Sequence, residues 1–291
     1  MSAVLASLGC SEGGSLRLAA LSALKDVAKK GDPAITAALL PHLKDSEPAV
    51  RATAAACLGE LGRRGDSVAV CTLLARLRGS DPPAVRRANL AALAELAACG
   101  GSGGPGKRRR VDATAVLAAA ECLRDPSREV REQAVYALAQ LAEPGDPVAV
   151  SAVLAALGHS ATETRVAAAA ALARVARRDD SSVVAALAAR LEGDGPAVRQ
   201  AAAVALGEVG GQGNGRAADE LVARLTDQDL GVRQAAAAAL RKLKGLGASA
   251  AISAASQDLR CADQAVNLRE KRCNSRPTKT ARLGAMSTAA R

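Results

Sequence analysis

The chain has 291 residues and a formal net charge of +10, and although 49% of it is hydrophobic it contains no Phe, no Trp and a single tyrosine, Tyr136. Ala, Leu and Val must therefore fill the core, which favours closely packed helices over sheets, where aromatic and β-branched residues are enriched. The excess charge lies in residues 107–110 and in the stretch from Gly245 onward, where eight Lys and Arg residues outnumber three acidic ones. Because this charge is not spread over a face of the folded body and aromatic residues for base stacking are lacking, we expect at most a weak nucleic-acid contact by these two segments.

Signals for secretion, membrane insertion and metal binding are weak throughout the sequence. The first 14 residues lack the basic and apolar regions of a signal peptide, and no uncharged apolar run reaches the roughly 18 residues of a membrane span. Seven cysteines are scattered without a Cys-x-x-Cys pair, which argues against a metal site and suits a reducing compartment. Cys57 and Cys71 fall within apolar helical patterns, so both are predicted to be buried. We expect a cytoplasmic protein, with the nucleus as the alternative, that has no metal, no cofactor and no membrane contact.

An arginine recurs along the chain with a spacing near 34 residues. It stands at positions 17, 51, 86, 131, 165, 199 and 233, with one long step of 45 residues between 86 and 131. Leucine follows seven residues after each arginine, Leu or Val follows after ten, and Ala follows after three, except at Asn89. Because offsets 3, 7 and 10 lie on one side of an α-helix, each arginine is predicted to begin a helix with an apolar stripe.

Another apolar segment precedes each of these helices, as in "DSVAVCTLLARL" at 66–77 and "DPVAVSAVLAAL" at 146–157. Pro begins the later helix in several units, where its missing N–H costs nothing, and Gly follows the end of that helix. Each unit is therefore a helical hairpin that cannot bury its apolar faces alone. The sequence predicts an all-α fold, an α-solenoid of about seven stacked hairpins over residues 1–245. A candidate further helix and a basic, disordered tail are expected over 246–291.

The stretch "DSEPAVRATAAACLGELG" at 45–62 resembles the HEAT repeat, in the variant first associated with bilin lyases. The resemblance extends over about residues 1–245 and implies a helical solenoid, in a family that contains scaffolds, transport factors and a few enzymes. Related repeats pair the arginine with an aspartate as a ladder that joins neighbouring loops, so we expect exposed ion pairs that each contribute little. The ladder arginines are Arg51, Arg86, Arg131, Arg165, Arg199 and Arg233, and the candidate aspartates are Asp45, Asp81, Asp125, Asp194 and Asp227.

The long step comes from a Gly/Arg-rich insertion at 99–112, which the spacing places between the two helices of one repeat, inside the third full repeat. Its stretch "GSGGPGKR" nearly matches a phosphate-binding loop, but Arg108 replaces the required Ser or Thr, and a helix precedes it where a strand is needed. We therefore reject a phosphate site. The cluster Lys107, Arg108, Arg109 and Arg110 resembles a nuclear localisation signal. A variable, solvated loop is the alternative that we favour.

The later helix of each hairpin usually lines the concave surface of such solenoids, so its side opposite the apolar stripe is the predicted protein-binding face. The candidate contact residues are Glu60, Arg87, Glu95, Glu132, Tyr136, Gln140, Arg174, Gln200, Glu208 and Lys242. Residues nine positions after the arginine change from acidic to basic along the chain, which would either orient a charged partner or serve solubility alone. Tyr136 falls on this face as a candidate interface anchor, with chance exposure as the alternative.

We expect a non-catalytic scaffold that binds protein partners of unknown identity. Two enzymes of the same repeat family are the alternatives. Deoxyhypusine hydroxylase, which the chain resembles in fold, binds two irons through paired His-Glu dipeptides, but neither histidine of this chain is followed by Glu. A bilin lyase-like subunit could hold a bilin on Cys10, Cys57 or Cys71, but nothing in the sequence marks any of them as an activated thiolate.

Overall fold

The computed structural model describes residue 8 and residues 13–97, 112–193, 195–211 and 214–243. Within these ranges the chain forms thirteen α-helices, three short 3-10 segments and no strand. The helices are α1 (Gly14–Val27), α2 (Pro33–Leu39), α3 (Pro48–Leu61), α4 (Ser67–Leu77), α5 (Pro83–Ala97), α6 (Ala113–Glu121), α7 (Arg128–Leu141), α8 (Pro147–Leu157), α9 (Thr162–Val175), α10 (Ser181–Gly193), α11 (Pro196–Val209), α12 (Gly215–Ala223) and α13 (Leu230–Leu243). The 3-10 segments Leu40–Lys44, Cys122–Arg124 and Arg224–Thr226 continue α2, α6 and α12.

The helices alternate between two layers of a stacked array. The odd-numbered helices pack against one another in chain order, and from α3 onward each also packs against the even-numbered helix that precedes it. We call the even-numbered helices first helices and the odd-numbered ones second helices. Six hairpins, from α2–α3 to α12–α13, follow α1, and Leu8 is a buried helical residue ahead of it. The predicted all-α solenoid of helical hairpins is confirmed.

Each first helix begins at a side-chain cap. An Asp or Asn just before the helix accepts hydrogen bonds from N–H groups of the first turn, which have no partner within the helix. Asp146, for example, accepts from the N–H groups of Val148 and Ala149 at 3.0 and 2.9 Å. The capping residues are Asp32, Asp66, Asp112, Asp146, Asp180 and Asn214. These side chains therefore determine where the first helices start.

The core is a continuous layer of small aliphatic side chains between the helices. The leucines seven residues after each recurring arginine are all fully buried, from Leu24 to Leu240. The residues at offset 10 are buried as well, except Val27, which is 52% exposed although the sequence pattern placed it in the core. Val27 ends α1, and of the helix that would precede α1 the structure describes only Leu8.

Successive second helices approach each other to near backbone contact. A β-carbon at Gly59 in α3 would lie 2.9 Å from the Cα of Ala92 in α5, and one at Gly207 in α11 would lie 2.8 Å from the Cα of Ala239 in α13. Small residues at these crossings permit a spacing that larger side chains would prevent. The first helices pack less closely on one another than the second helices do.

The loops between hairpins link each hairpin to the next through the backbone. Residues in a left-handed conformation, with φ between 61° and 83°, donate an N–H to the carbonyl oxygen at or near the end of the following second helix. These hydrogen bonds run from Gly31 to Leu61 (2.7 Å), from Gly65 to Leu96 (2.8 Å), from Gly145 to Val175 (2.6 Å) and from Asp179 to Val209 (2.8 Å). Glycine suits this conformation because it has no β-carbon.

The position of the insertion differs from the sequence prediction. Helix α5 ends at Ala97 and α6 begins at Ala113, so the inserted residues join the second helix of one hairpin to the first helix of the next, not the two helices of one repeat. The step from one recurring arginine to the next contains two connections, one between hairpins and one within a hairpin. A longer step therefore shows that residues were inserted, but not in which of these two connections they lie. Residues 98–111, with the basic cluster Lys107–Arg110, lie outside the described residues, as do those after 243.

The two cysteines predicted to be buried differ in exposure. Cys57 in α3 is fully buried, and its Sγ donates to the carbonyl oxygen of Leu21 at 3.4 Å. Cys71 in α4 is exposed, so the prediction for that residue is wrong. A first helix buries one side against its neighbours, here with Val70 and Leu73, and Cys71 falls on the other side.

Candidate protein-binding face

The predicted contact residues lie on the solvent-facing side of the second helices. Nine of the ten are exposed, and Glu95 is partly buried. They occupy α3, α5, α7, α9, α11 and α13, opposite the buried leucine stripe. One face of the array therefore carries all ten residues across successive hairpins, and we call it the second-helix face.

Tyr136 stands near the middle of this face. It lies in α7 and is 53% exposed, and the guanidinium carbon of Arg174 in α9 lies 4.8 Å from the centroid of its ring. A cation over an aromatic ring is attracted by the electron-rich ring face. The contact therefore orients an exposed aromatic side chain before any partner arrives, which lowers the entropic cost of binding.

Several polar residues on the face pair across hairpins. Three contacts join successive second helices: Lys25 with Glu60 at 2.7 Å, Gln140 with Glu95 at 3.4 Å, and Lys242 with Glu208. The change from acidic to basic residues along the chain is therefore partly neutralised, because residues of adjacent hairpins bind each other. The hydrogen bond to Glu60 also raises the pKa of Lys25 above its usual value.

Other charged residues of α5 and α7 are paired as well. Glu132 accepts a hydrogen bond from Arg128 at 2.7 Å within α7, and Arg87 of α5 lies 3.9 Å from Glu129 of α7. Exposed pairs of this kind contribute little to stability. The guanidinium of Arg174 remains as a positive charge beside the tyrosine ring.

A groove of about 400 Å³ lies between α7 and α9 on the same face. Its apolar lining includes Val135, Val166, Ala167 and Ala170, and its polar lining includes Arg128, Arg131, Glu132 and Glu163. The short side chains of the two alanines leave this space open. The sequence analysis did not predict the groove, because it depends on how two hairpins stack.

The recurring arginines join each hairpin to the next. Nε and Nη2 of Arg86 donate to the two carboxylate oxygens of Asp125, both at 2.8 Å. Equivalent pairs are Arg17 with Asp45, Arg51 with Asp81, and Arg199 with Asp227. The paired side chains are between 5% and 18% exposed, so these ion pairs are more buried than the weak surface pairs that the sequence predicted.

Most of the recurring arginines also hold the loop of their own hairpin. Nη1 of Arg131 donates to the carbonyl oxygens of Asp125 and Pro126, at 2.8 and 2.9 Å. The same pair of contacts is made by Arg51, Arg165 and Arg233. The aspartate accepts an N–H from two residues further on, as Asp125 does from Ser127 at 2.8 Å. The recurring arginine and the loop aspartate thus both shape a loop and take part in the ion pairs between neighbouring hairpins.

Among the ladder positions that the structure describes, the ion pair is missing between α7 and α9. Asp194, the aspartate expected opposite Arg165, lies outside the described residues. His159 stands where neighbouring loops hold Asp, and its Nδ1 accepts the N–H of Ala161 at 3.1 Å, the turn contact that Asp125 makes with Ser127. The imidazole presents no carboxylate to the preceding hairpin, and Arg131 forms no ion pair with any residue that the structure describes. The sequence contained this signal, since the series of candidate aspartates has no member at 159.

Metal-binding clusters and reactive thiols were the features on which the enzyme alternatives depended. No three His, Cys, Asp or Glu side chains in those ranges are placed to hold a metal ion. Burial raises the pKa of the Cys57 thiol to about 11 and that of Cys122 to about 12, so both stay protonated near neutral pH. Among the candidate bilin-binding thiols, Cys71 is exposed and Cys10 lies outside the described residues. None of the described helices is both long and apolar enough to cross a bilayer.

The family model for HEAT repeats matches residues 3–94, 116–207, 150–241 and 184–260. The chain belongs to the HEAT-repeat family. The matched ranges contain the hairpins described above and leave out the insertion that interrupts the arginine spacing. A comparison with curated proteins gives no match.

Several solved structures resemble this HEAT-repeat chain. An engineered protein is 24% identical, with 73% of this chain and 97% of that chain covered and a TM-score of 0.44. The YibA protein of E. coli is 14% identical, with 89% and 92% covered and a TM-score of 0.49. Human deoxyhypusine hydroxylase in complex with glycerol is 22% identical, with 88% of both chains covered and a TM-score of 0.37. At these identities and scores no activity is transferred to the chain.

Proposed function

We propose that the chain is a non-catalytic scaffold that binds partner proteins through its second-helix face. The observation that carries the proposal is Tyr136, an exposed aromatic residue oriented by Arg174 of the next hairpin. In a chain without Phe or Trp, this ring is the largest apolar group that the face can offer. Tyrosine is enriched among the residues that dominate binding energy at protein interfaces.

Exposed apolar residues continue along the face from this tyrosine. Ala170 of α9 and Val204 of α11 occupy the same repeat position as Tyr136, five residues after the recurring arginine, and both are exposed. A partner that covers the tyrosine would therefore meet an apolar row bordered by charged side chains. An apolar centre with a polar rim is the usual composition of protein interfaces.

The close packing of the second helices also supports this choice of face. Because closer packing shortens one side of a stack, we expect the array to curve toward the second helices and their exposed face to be concave. A concave surface lets side chains from several hairpins contact one partner at the same time. The first helices would then form the outer side.

The proposal is tested with matched variants on the two sides of the array. Wild-type chain, Tyr136→Ala and Leu117→Ala are used to capture proteins from cell extract, and the affinity of each captured protein is measured by titration calorimetry. Leu117 lies on the first helix α6 and is 47% exposed, so its variant removes a similar exposed apolar group from the other side.

We expect Tyr136→Ala to weaken binding at least tenfold, about 1.4 kcal/mol, and Leu117→Ala to leave the affinity unchanged. Circular dichroism would show that both variants are folded, since neither side chain is buried. Equal affinities for wild type and Tyr136→Ala would contradict the proposal.

A further inference from the structure

We propose that the groove between α7 and α9 binds a peptide segment of a partner protein in which one Asp or Glu is flanked by aliphatic residues, and that Arg131 pairs with that carboxylate. The inference rests on the proposed function, because the groove is part of the second-helix face. To the proposed protein-binding role it adds the chemical class of the peptide segment that binds.

The interrupted ladder leaves an oriented guanidinium at this groove. Arg131 donates hydrogen bonds to two carbonyl oxygens of its own loop, and these bonds fix the orientation of its side chain as they do for other recurring arginines. At the equivalent junctions of Arg17, Arg51, Arg86 and Arg199, a carboxylate of the next hairpin occupies the adjacent position. A guanidinium has five N–H donors, and those of Arg131 that the loop does not use suit a carboxylate.

His159 leaves Arg131 without a carboxylate from the next hairpin. It performs the turn contact of the missing aspartate through Nδ1, so the loop keeps its shape without supplying a negative charge. Arg131 lines the groove and His159 does not, so a carboxylate bound in the groove can reach the guanidinium from that side. Ion pairs that are partly shielded from water and bidentate are stronger than ordinary surface pairs.

The lining of the groove indicates the residues that accompany this carboxylate. Val135 and Val166, with two alanines of α9 and Ala197 of α11, form an apolar surface in a space of about 400 Å³, which is within the range of ligand pockets. Aliphatic side chains next to the acid would bury against these residues. Glu132 and Glu163 also line the groove, and they would repel a second carboxylate. The groove therefore favours a segment with one acid over an acidic run.

The test selects short random peptides displayed on phage against the full-length wild-type chain. Selected sequences are synthesised in pairs, one with the acid and one with the corresponding amide, and their affinities are measured by fluorescence anisotropy. We expect enrichment of peptides with a single Asp or Glu among aliphatic residues. Replacing that acid with the amide should weaken binding at least about tenfold.

Two variants and two controls locate the binding site. Arg131→Gln removes the charge but keeps N–H donors for the loop, and Arg216→Gln removes the same charge from the exposed surface of α12. His159→Asp supplies an internal carboxylate to Arg131, and Ser160→Asp adds the same charge to the neighbouring exposed residue. We expect Arg131→Gln and His159→Asp to weaken acidic peptides at least about tenfold, and both controls to leave them unchanged.

His159→Asp also separates binding from folding. The new aspartate would complete the ladder as Asp125 does, so we expect this variant to unfold at a higher temperature than wild type while it loses the peptides. Peptides that bind wild type, Arg131→Gln and His159→Asp equally would overturn the inference. If the same peptides are weakened by Tyr136→Ala, the second-helix face still binds proteins and only the carboxylate site is refuted.

Discussion

Arg199 and Asp227 join two successive hairpins through two hydrogen bonds, with Nε–Oδ2 and Nη2–Oδ1 distances of 2.9 and 2.8 Å. The Asp227 side chain is nearly buried and also accepts the N–H of Asp229 at 2.9 Å. Asp227→Asn removes the negative charge beside a largely covered guanidinium, so we expect a loss of about 2 kcal/mol in the free energy of unfolding. Urea denaturation followed by circular dichroism measures it.

The control for that variant is Asp219→Asn, which removes the same charge from an exposed position on α12. Its unfolding free energy should stay within about 0.5 kcal/mol of wild type. If both variants lose the same free energy of unfolding, the ion pair between Arg199 and Asp227 contributes no stability of its own.

Ladder aspartates should also make stability depend on pH. The hydrogen bond from Arg199 lowers the pKa of Asp227 below its usual value. A group with a lower pKa in the folded state than in the unfolded state stabilises the fold fully above the unfolded value of about 3.9, and this contribution is lost as the pH falls through the folded pKa. We therefore expect the urea midpoint to fall as the pH drops below about 4, and less steeply in Asp227→Asn. Identical slopes would show that the pair does not titrate with folding.

Gly207→Ala tests the close approach of α11 and α13. Alanine is favoured over glycine inside a helix by about 1 kcal/mol, so the substitution would stabilise an isolated helix. Here the new β-carbon would lie 2.8 Å from the Cα of Ala239, and backbone atoms cannot move aside cheaply. We expect a net loss of about 1–3 kcal/mol, as for other overpacked sites, measured by urea denaturation.

Gly215→Ala is the matched control, because nothing lies within 4 Å of the β-carbon it would add at the start of α12. This variant should be neutral or slightly more stable than wild type. A stable Gly207→Ala protein would mean that the second helices are not held at the described spacing.

Asn89→Ala should stabilise the protein. Asn89 in α5 is 1% exposed, and neither Oδ1 nor Nδ2 has a hydrogen-bond partner in the described structure. The equivalent position of the other hairpins is alanine, and a buried polar group without a partner costs about 1–3 kcal/mol. We expect a higher unfolding temperature, by differential scanning calorimetry. The control is Gln200→Ala, which removes an exposed amide from α11 and reports the contribution of helix propensity alone. An Asn89→Ala protein that is less stable than wild type would contradict the prediction.

Most of the fold could be predicted because one pattern of apolar residues repeats. The buried leucine stripe from Leu24 to Leu240 follows from spacing within a helix, and so does the exposure of Tyr136. Val27 and Cys71 departed from the pattern, because the burial of a residue also depends on which neighbouring helix covers it.

The candidate site was less accessible to prediction because its contacts join different hairpins. Arg174 lies over the ring of Tyr136 owing to the angle at which α9 stacks on α7, and spacing within one repeat contains no information about that angle. The role of His159 was hidden for another reason. An imidazole nitrogen and a carboxylate oxygen can accept the same turn hydrogen bond, so a pattern written in residue types does not recognise their equivalence.

The junction of α7 with α9 is tied at one end by the hydrogen bond from Gly145 to Val175, while at the other end Arg131 forms no ion pair with any residue that the structure describes. The first two junctions of the array are tied at both ends. A joint with fewer ties bends more readily, so fluctuations in curvature should be larger here than at those two junctions. A molecule bound across the joint would then adjust the pitch of the entire superhelix, including hairpins that it never touches.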